Sequence, residues 1–83
     1  VQRWAENQTF IALGQILLAA GIEKIDATPI GGFNESIISE ELGLAEQGLI
    51  PSVLLTLGYR SDADFNAKLP KSRLSKEDIF TQL

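Results

Sequence analysis

Cysteine, histidine and methionine are absent from this chain of 83 residues. Without cysteine or histidine, the chain has no disulfide, no thiolate nucleophile, no Ser-His-Asp triad and few ligands for zinc, so we predict no metal site. Basic residues are also scarce, because seven lysines and arginines stand against eleven acidic residues, a net charge of -4. The chain therefore lacks the positive field that binding to nucleic acid or an anionic membrane surface requires.

The composition is that of a folded protein, with 45% hydrophobic and 22% charged residues. At 9.0 kDa, a compact domain would keep about 4,900 Å² of surface exposed, which leaves room for only a marginal core. The length therefore indicates one small domain or a piece of a larger one.

The first segment predicts a helix from Arg3 to about Gly21, with Gly21 as its C-cap. Between Phe10 and Ile22 the only strongly polar side chain is Gln15, so apolar side chains surround the helix axis. The run is too short to span a bilayer, and its flanks do not favour a signal peptide. We expect a core helix whose partners lie on a missing segment or on another subunit.

Turn and cap signals divide the next part of the chain. A loop is predicted over residues 26–33, where Pro29 fixes φ and two glycines follow. Asn34 is a natural N-cap for a short helix that ends near Leu42, with Gly43 as its stop.

The second half of the chain predicts one strand and two capped turns. The apolar run 52–59 is bounded by glycine and proline and predicts a buried strand. Residues 61–64 have the spacing of a capping box and predict the start of a helical turn, and Ser75 is a second capping signal. Between them, the basic segment 68–73 is predicted to be extended.

Two stretches have the residue types of a binding site. In Pro29-Ile30-Gly31-Gly32, the adjacent glycines let backbone N–H groups approach a flat ligand, although the same residues also suit an ordinary turn. In the basic segment, Lys71 and Arg73 would project to one side of an extended chain and could grip a phosphate, although a solvated basic patch would look the same.

Several groups of residues match one family of enzymes in order and at compatible spacing. They are Trp4-Ala5 with Gln8 and 11–14, then Gly21-Ile22 with 25–30, then 64–67 and 69–74. Through these residues the sequence resembles the C-terminal two-fifths of the oxygen-insensitive NAD(P)H nitroreductases and related FMN-dependent flavin reductases. Residues 64–74 are the most specific part of the resemblance, and the match is weakest after Leu74.

The resemblance implies an α+β, nitroreductase-like fold. Residues 1–83 would form the C-terminal part of a single domain, with a long core helix, a loop, a short helix, a buried strand and an extended basic segment. The N-terminal part of that domain would lie outside this chain. Enzymes of this family are homodimers with FMN at the subunit interface, and a cytoplasmic location is expected.

The resemblance also implies an activity. The family takes a hydride from NAD(P)H onto FMN N5 and then reduces a nitroaromatic, quinone or flavin acceptor in a ping-pong cycle. The sequence does not indicate which acceptor is physiological, or whether NADH or NADPH is preferred. The isolated 83 residues would supply only part of the flavin site, so we expect them to be inactive alone.

Site residues follow from the same resemblance. Pro29, Ile30, Gly31 and Gly32 match the loop that lies along the isoalloxazine ring, with the Gly31 N–H facing N5 and Gly32 near O4. Lys71 and Arg73 match the positions that bind the FMN phosphate. No side chain is assigned as a certain catalytic residue. The family often has Glu where this chain has Gly31, which puts any role of that carboxylate in doubt.

Two alternatives remain beside the flavin enzyme. The chain could be a small acidic interaction module that docks through its apolar helix and has no catalytic function. It could also be a degenerate relative that kept the fold and lost the cofactor, for which Gly31 is the main indication.

Overall fold

One long helix and one pair of antiparallel strands organise the chain, and a computed structural model describes all 83 residues. The two strands are joined by residues 31–53, and we call this strand pair the hairpin. The fold is α+β, as predicted. The helices are α1 (Gln2–Ile22), α2 (Glu35–Leu42) and α3 (Lys76–Ile79), the strands are β1 (Asp26–Ile30) and β2 (Leu54–Gly58), and 3₁₀ turns span Ala45–Gln47 and Phe65–Lys68.

Helix α1 confirms the predicted first helix to within one residue at each end. The predicted C-cap at Gly21 is wrong, because Gly21 stays helical and Glu23 is the capping residue. The chain reverses at Lys24, which has a φ of 60°, and the Ile25 N–H donates to the Ala20 carbonyl at 2.8 Å. The left-handed residue that ends the helix is thus a lysine rather than the glycine favoured there.

Strand β1 replaces most of the loop predicted over residues 26–33. It pairs antiparallel with β2, with Asp26 opposite Gly58 and Ile30 opposite Leu54. Pro29 is tolerated because the sheet has only two strands, so β1 is an edge strand. The loop prediction was wrong because a distant segment provides the pairing, which local turn signals do not reveal.

Strand β2 confirms the predicted strand, but the expected burial is wrong within this chain. Leu54 and Leu55 are half-buried, whereas Leu57 is 57% exposed. No second layer covers the outer part of the hairpin, because the only helix with substantial contact to the sheet is α1, which packs against β1.

Helix α2 confirms both of its predicted boundaries. The Asn34 side chain accepts a hydrogen bond from the Ile37 N–H at 3.1 Å. Gly43 follows Leu42 with a φ of 62°, the left-handed conformation that glycine adopts without strain.

The helical turn expected at residues 61–64 begins later. Ser61 Oγ accepts from the Ala63 N–H at 3.1 Å and makes a tight turn, and the 3₁₀ turn starts at Phe65 with Asp64 as its N-cap. Lys68 ends this turn, so the predicted extended segment 68–73 begins one residue too early.

The second capping signal is confirmed. The Ser75 side chain accepts from the Asp78 N–H and begins α3.

Very little of the chain is buried. Ala20 is the only buried residue, and the accessible surface is 7624 Å², against about 4,900 Å² for a compact protein of this mass. The radius of gyration is 16.1 Å, against about 12 Å for a globular domain of this length. Helix α1 is therefore not a core helix within this chain, since Ile11, Leu18 and Ile22 are each at least 60% exposed. No helix combines the length and the apolar character needed to cross a membrane.

Candidate functional site

The two predicted site stretches lie toward opposite ends of strand β1. Pro29 and Ile30 are its last two residues, and Gly31 and Gly32 follow directly. Lys71 lies in a groove lined by the first residues of β1, Asp26 to Thr28. A strand of five residues spans roughly 13 Å. The glycine stretch and the groove that contains Lys71 therefore lie about one strand length apart.

The glycine stretch presents its backbone to solvent. Gly31 and Gly32 are exposed, and neither donates its N–H to another group of the chain. A Cβ added at either position would meet nothing within 4 Å, and neither residue has a positive φ. Neither backbone conformation nor local crowding therefore requires glycine here. The free N–H groups and open surface fit the close approach of a flat ring.

The basic stretch is exposed, and only one of its two cations, Lys71, lines a groove beside the hairpin. Lys71 lines a groove of about 230 Å³, together with Asp26, Arg60 and Asp64. Arg73 does not line this groove, and its Nη1 donates to the Ser72 carbonyl at 3.0 Å. The remaining donors of Arg73 have no partner in the chain and can meet an anion.

An ion pair that the sequence did not predict closes the hairpin beside Lys71. Arg60 Nη2 lies 2.5 Å from Asp26 Oδ1, and Arg60 Nε lies 3.1 Å from both carboxylate oxygens. The Arg60 backbone N–H also donates to Asp26 Oδ2, at 2.8 Å. We call this set of contacts the Asp26–Arg60 clamp. It holds Arg60, which lies two residues beyond the end of β2 at Gly58, against the first residue of β1.

The signal for the clamp was present in the sequence as two opposite charges. Asp26 begins one strand, and Arg60 lies two residues beyond the end of the other. Their proximity becomes visible only when residues 26–30 are recognised as a strand paired with 54–58. Because those residues were predicted as a loop, the pair was missed.

The clamp holds the Asp26 carboxyl ionised. Hydrogen bonds from the Arg60 side chain and backbone lower the pKa of Asp26 from 3.8 to about 2. In turn, the Asp26 carboxylate, with a smaller contribution from Asp64, raises the pKa of Arg60. Both oxygens of Asp26 are engaged, so its charge is largely compensated by a single partner.

We expect Arg60→Met to return the pKa of Asp26 toward 3.8. NMR titration of labelled aspartate carboxyl carbons measures this change. Since the folded pKa is lower than the unfolded one, the stabilisation from the clamp is present above pH about 4 and is lost as the pH falls toward about 2. Lys76→Met removes one positive charge elsewhere and should leave the Asp26 titration unchanged. An Asp26 pKa that stays near 2 in Arg60→Met would contradict the clamp.

A larger groove of about 460 Å³ follows α2 as far as Pro51 and contains none of the predicted site residues. Glu35, Glu40 and Glu46 line it, but no group of three acidic, histidine or cysteine side chains in the chain has an arrangement that could hold a metal ion. The hairpin, rather than this groove, therefore carries the candidate site.

Comparison with known proteins identifies close relatives over nearly the whole chain. The chain is 42% identical over 80 residues to an oxygen-insensitive NAD(P)H nitroreductase of Enterobacter cloacae, a match that covers 96% of this chain. It is 38% identical over 81 residues to the protein of the same name from Salmonella typhimurium, covering 98% of this chain. It is also 36% identical over 81 residues to the major NAD(P)H-flavin oxidoreductase of Aliivibrio fischeri, covering 96% of this chain.

The matches occupy a limited part of those relatives. The chain spans 37% of the length of each of the three proteins and aligns with their C-terminal part. No family model matches the chain.

Proposed function

Because this chain is homologous to the C-terminal part of the oxygen-insensitive NAD(P)H nitroreductases and NAD(P)H-flavin oxidoreductases, we propose that it serves as the C-terminal part of an NAD(P)H-dependent, FMN-binding oxidoreductase. The observation that carries this proposal is the 42% identity across 96% of the chain. A match of that extent includes both the glycine stretch and the basic stretch.

The residues present fit an FMN molecule laid along the hairpin. Open backbone at Gly31 and Gly32 suits the ring, and the exposed cations Lys71 and Arg73 suit the phosphate. The chemistry supplied by bound FMN is two-electron redox, with hydride from NAD(P)H and reduction of a nitroaromatic, quinone or flavin acceptor in a ping-pong cycle.

The chain's own residues would bind and orient the cofactor. The Gly31 N–H is the proposed donor to flavin N5, where a fixed backbone dipole responds to changing charge without reorganisation. Gly32 would lie near O4, and Pro29 and Ile30 would lie along the ring. Lys71 and Arg73 would neutralise the phosphate, the arginine through its fork of donors and the lysine as a point charge.

The exposed apolar surface supports the proposal that other segments complete this fold. The chain exposes about 2,700 Å² more than a compact protein of its mass. Stable homodimer interfaces bury roughly 2,000–5,000 Å², so an N-terminal part of the same protein and a second subunit can together cover α1 and the hairpin. We propose such a homodimer, located in the cytoplasm.

The interaction-module alternative rests on the same exposed helix. It gives no role to segment 69–74, and relatives that are named as enzymes match the chain throughout. The other alternative, a relative that has lost its cofactor, is suggested only by Gly31. The N–H of Gly31 remains free to donate, so this substitution by itself does not remove the proposed contact to the flavin. The oxidoreductase is therefore the function that we favour.

The test uses the full-length protein that contains this chain, purified and kept under anaerobic conditions. We expect NADH or NADPH to bleach the absorbance of its bound flavin, and a quinone or nitroaromatic compound to restore it. The isolated 83 residues, treated in the same way, should show neither change. A full-length protein that neither retains added FMN nor oxidises NAD(P)H would overturn the proposal.

A further inference from the structure

The Asp26–Arg60 clamp is the only hydrogen-bonded tie between residues 59–83 and the rest of the chain. Every other hydrogen bond made by residues 59–83 goes to a partner within that same segment. Beyond Gly58 the segment runs beside the hairpin, because Asp64, Asn66, Ala67 and Lys71 all line one groove with Asp26 and Arg60. The clamp is therefore the one hydrogen-bonded restraint between the hairpin and the segment that carries Lys71 into this groove.

The clamp also determines the net charge of the groove in which Lys71 lies. Two carboxylates, Asp26 and Asp64, line the groove together with Lys71. Arg60 occupies both oxygens of Asp26, so that carboxylate is already compensated. Without Arg60, Asp26 would be an uncompensated anion in the same groove, where it would both attract the lysine and repel any phosphate that approaches it.

Arg60 is itself poorly placed to bind an anion. Its Nε, one Nη and its backbone N–H all donate to Asp26, so most of its hydrogen-bonding capacity on that side is used. Any effect of Arg60 on an anion in the groove is therefore indirect, because it acts by neutralising the Asp26 carboxylate.

We propose that Arg60 is a positioning residue for phosphate binding. Arg60 neutralises the Asp26 carboxylate at the end of the hairpin, and this leaves the Lys71 ammonium available to the cofactor phosphate. This inference rests on the proposed function, since it concerns the same FMN site. It differs from a purely structural clamp in one respect. A charge effect acts only on the ligand that carries a phosphate, and it disappears when the Asp26 carboxylate is removed as well, whereas the loss of a structural tie would not be reversed by removing that carboxylate.

The test compares FMN with riboflavin, which has the same ring and no phosphate. In the flavin-free full-length protein, Arg60→Met should raise the Kd for FMN by roughly tenfold and leave the Kd for riboflavin unchanged. Arg60→Lys keeps the positive charge, so its Kd for FMN should lie between that of the unsubstituted protein and that of Arg60→Met. Asp26→Asn combined with Arg60→Met should restore the Kd for FMN to within about threefold of the unsubstituted protein, because the uncompensated carboxylate is gone.

Two results would overturn the proposal. The first is an equal loss of FMN and riboflavin affinity in Arg60→Met, and the second is a double variant that binds FMN no better than Arg60→Met. If Arg60→Met does not fold, Arg60→Gln keeps an amide donor for Asp26 and carries the same expectations. An unsubstituted protein that binds neither flavin would refute the proposed function itself, and this inference with it, whereas the two results above leave that function standing.

Discussion

Replacing both Lys71 and Arg73 with alanine is expected to weaken FMN binding by about 10²- to 10⁴-fold in the full-length protein that contains this chain. Each charge-assisted hydrogen bond contributes about 1.5–3 kcal/mol, and every 1.4 kcal/mol changes a Kd tenfold. Both side chains are exposed in the chain and contribute little to its own packing, so the loss should appear in cofactor affinity rather than in stability. Fluorescence titration of the flavin-free protein measures it directly.

A matched control for this double variant removes the same charge from other parts of the chain. Arg3→Ala with Lys76→Ala also deletes one arginine and one lysine, at the start of α1 and at the start of α3. It should leave the Kd for FMN within about threefold, since neither side chain is assigned to the phosphate and the field of an exposed charge is screened by salt. If both double variants weaken FMN equally, net charge rather than a phosphate site is responsible. If neither does, Lys71 and Arg73 do not bind the phosphate.

The second large effect is expected at Leu18, on helix α1. Leu18 is 68% exposed in this chain, and truncating an exposed leucine ordinarily changes stability by no more than about 0.5 kcal/mol. If other segments cover α1 in the full-length protein, Leu18→Ala should instead lower the free energy of unfolding by about 2–4 kcal/mol, the cost of a buried cavity. Urea unfolding of the full-length protein provides the measurement.

Glu41→Ala is the control for Leu18→Ala. Glu41 is an exposed polar residue on α2, and its truncation should change the unfolding free energy by less than about 0.5 kcal/mol. A cost for Leu18→Ala as small as that of the control would show that α1 remains exposed in the full-length protein. The apolar helix would then be free to dock elsewhere, as an interaction module requires.

Local signals in the sequence identified the helices well. Asn34 and Gly43 marked both ends of α2 because each acts within one turn, through a side-chain cap and through a left-handed glycine. Ser75 marked the start of α3 in the same way, but no signal marked its end. These features depend on neighbours three or four residues away, which any sequence window contains.

Nonlocal pairing is the part of the fold that the sequence did not predict. Thr28 and Pro29 suggest a turn when considered alone, and they form a strand only because residues 54–58 pair with them. The same pairing brings Asp26 and Arg60 together, so missing the strand also meant missing the clamp. At 61–64 the capping spacing was present, but Ser61 makes a short turn and Asp64 caps the 3₁₀ turn instead.

The sequence predicted which residues form the candidate site, but not how they are arranged. Gly31, Gly32, Lys71 and Arg73 came from the resemblance to a flavin enzyme family, and their roles remain predictions. The structure adds that the two stretches lie toward opposite ends of β1, and that Lys71 shares its groove with a compensated carboxylate. Spacing along the chain contained neither fact, because both depend on how the hairpin closes.

Native mass spectrometry of the full-length protein tests the central claim most directly. If this chain is the C-terminal part of an FMN oxidoreductase, the spectrum should show a dimer of chains much longer than 83 residues, carrying two FMN masses that Lys71→Ala with Arg73→Ala removes. A full-length protein that carries no flavin mass, even when FMN is added in excess, would contradict the claim.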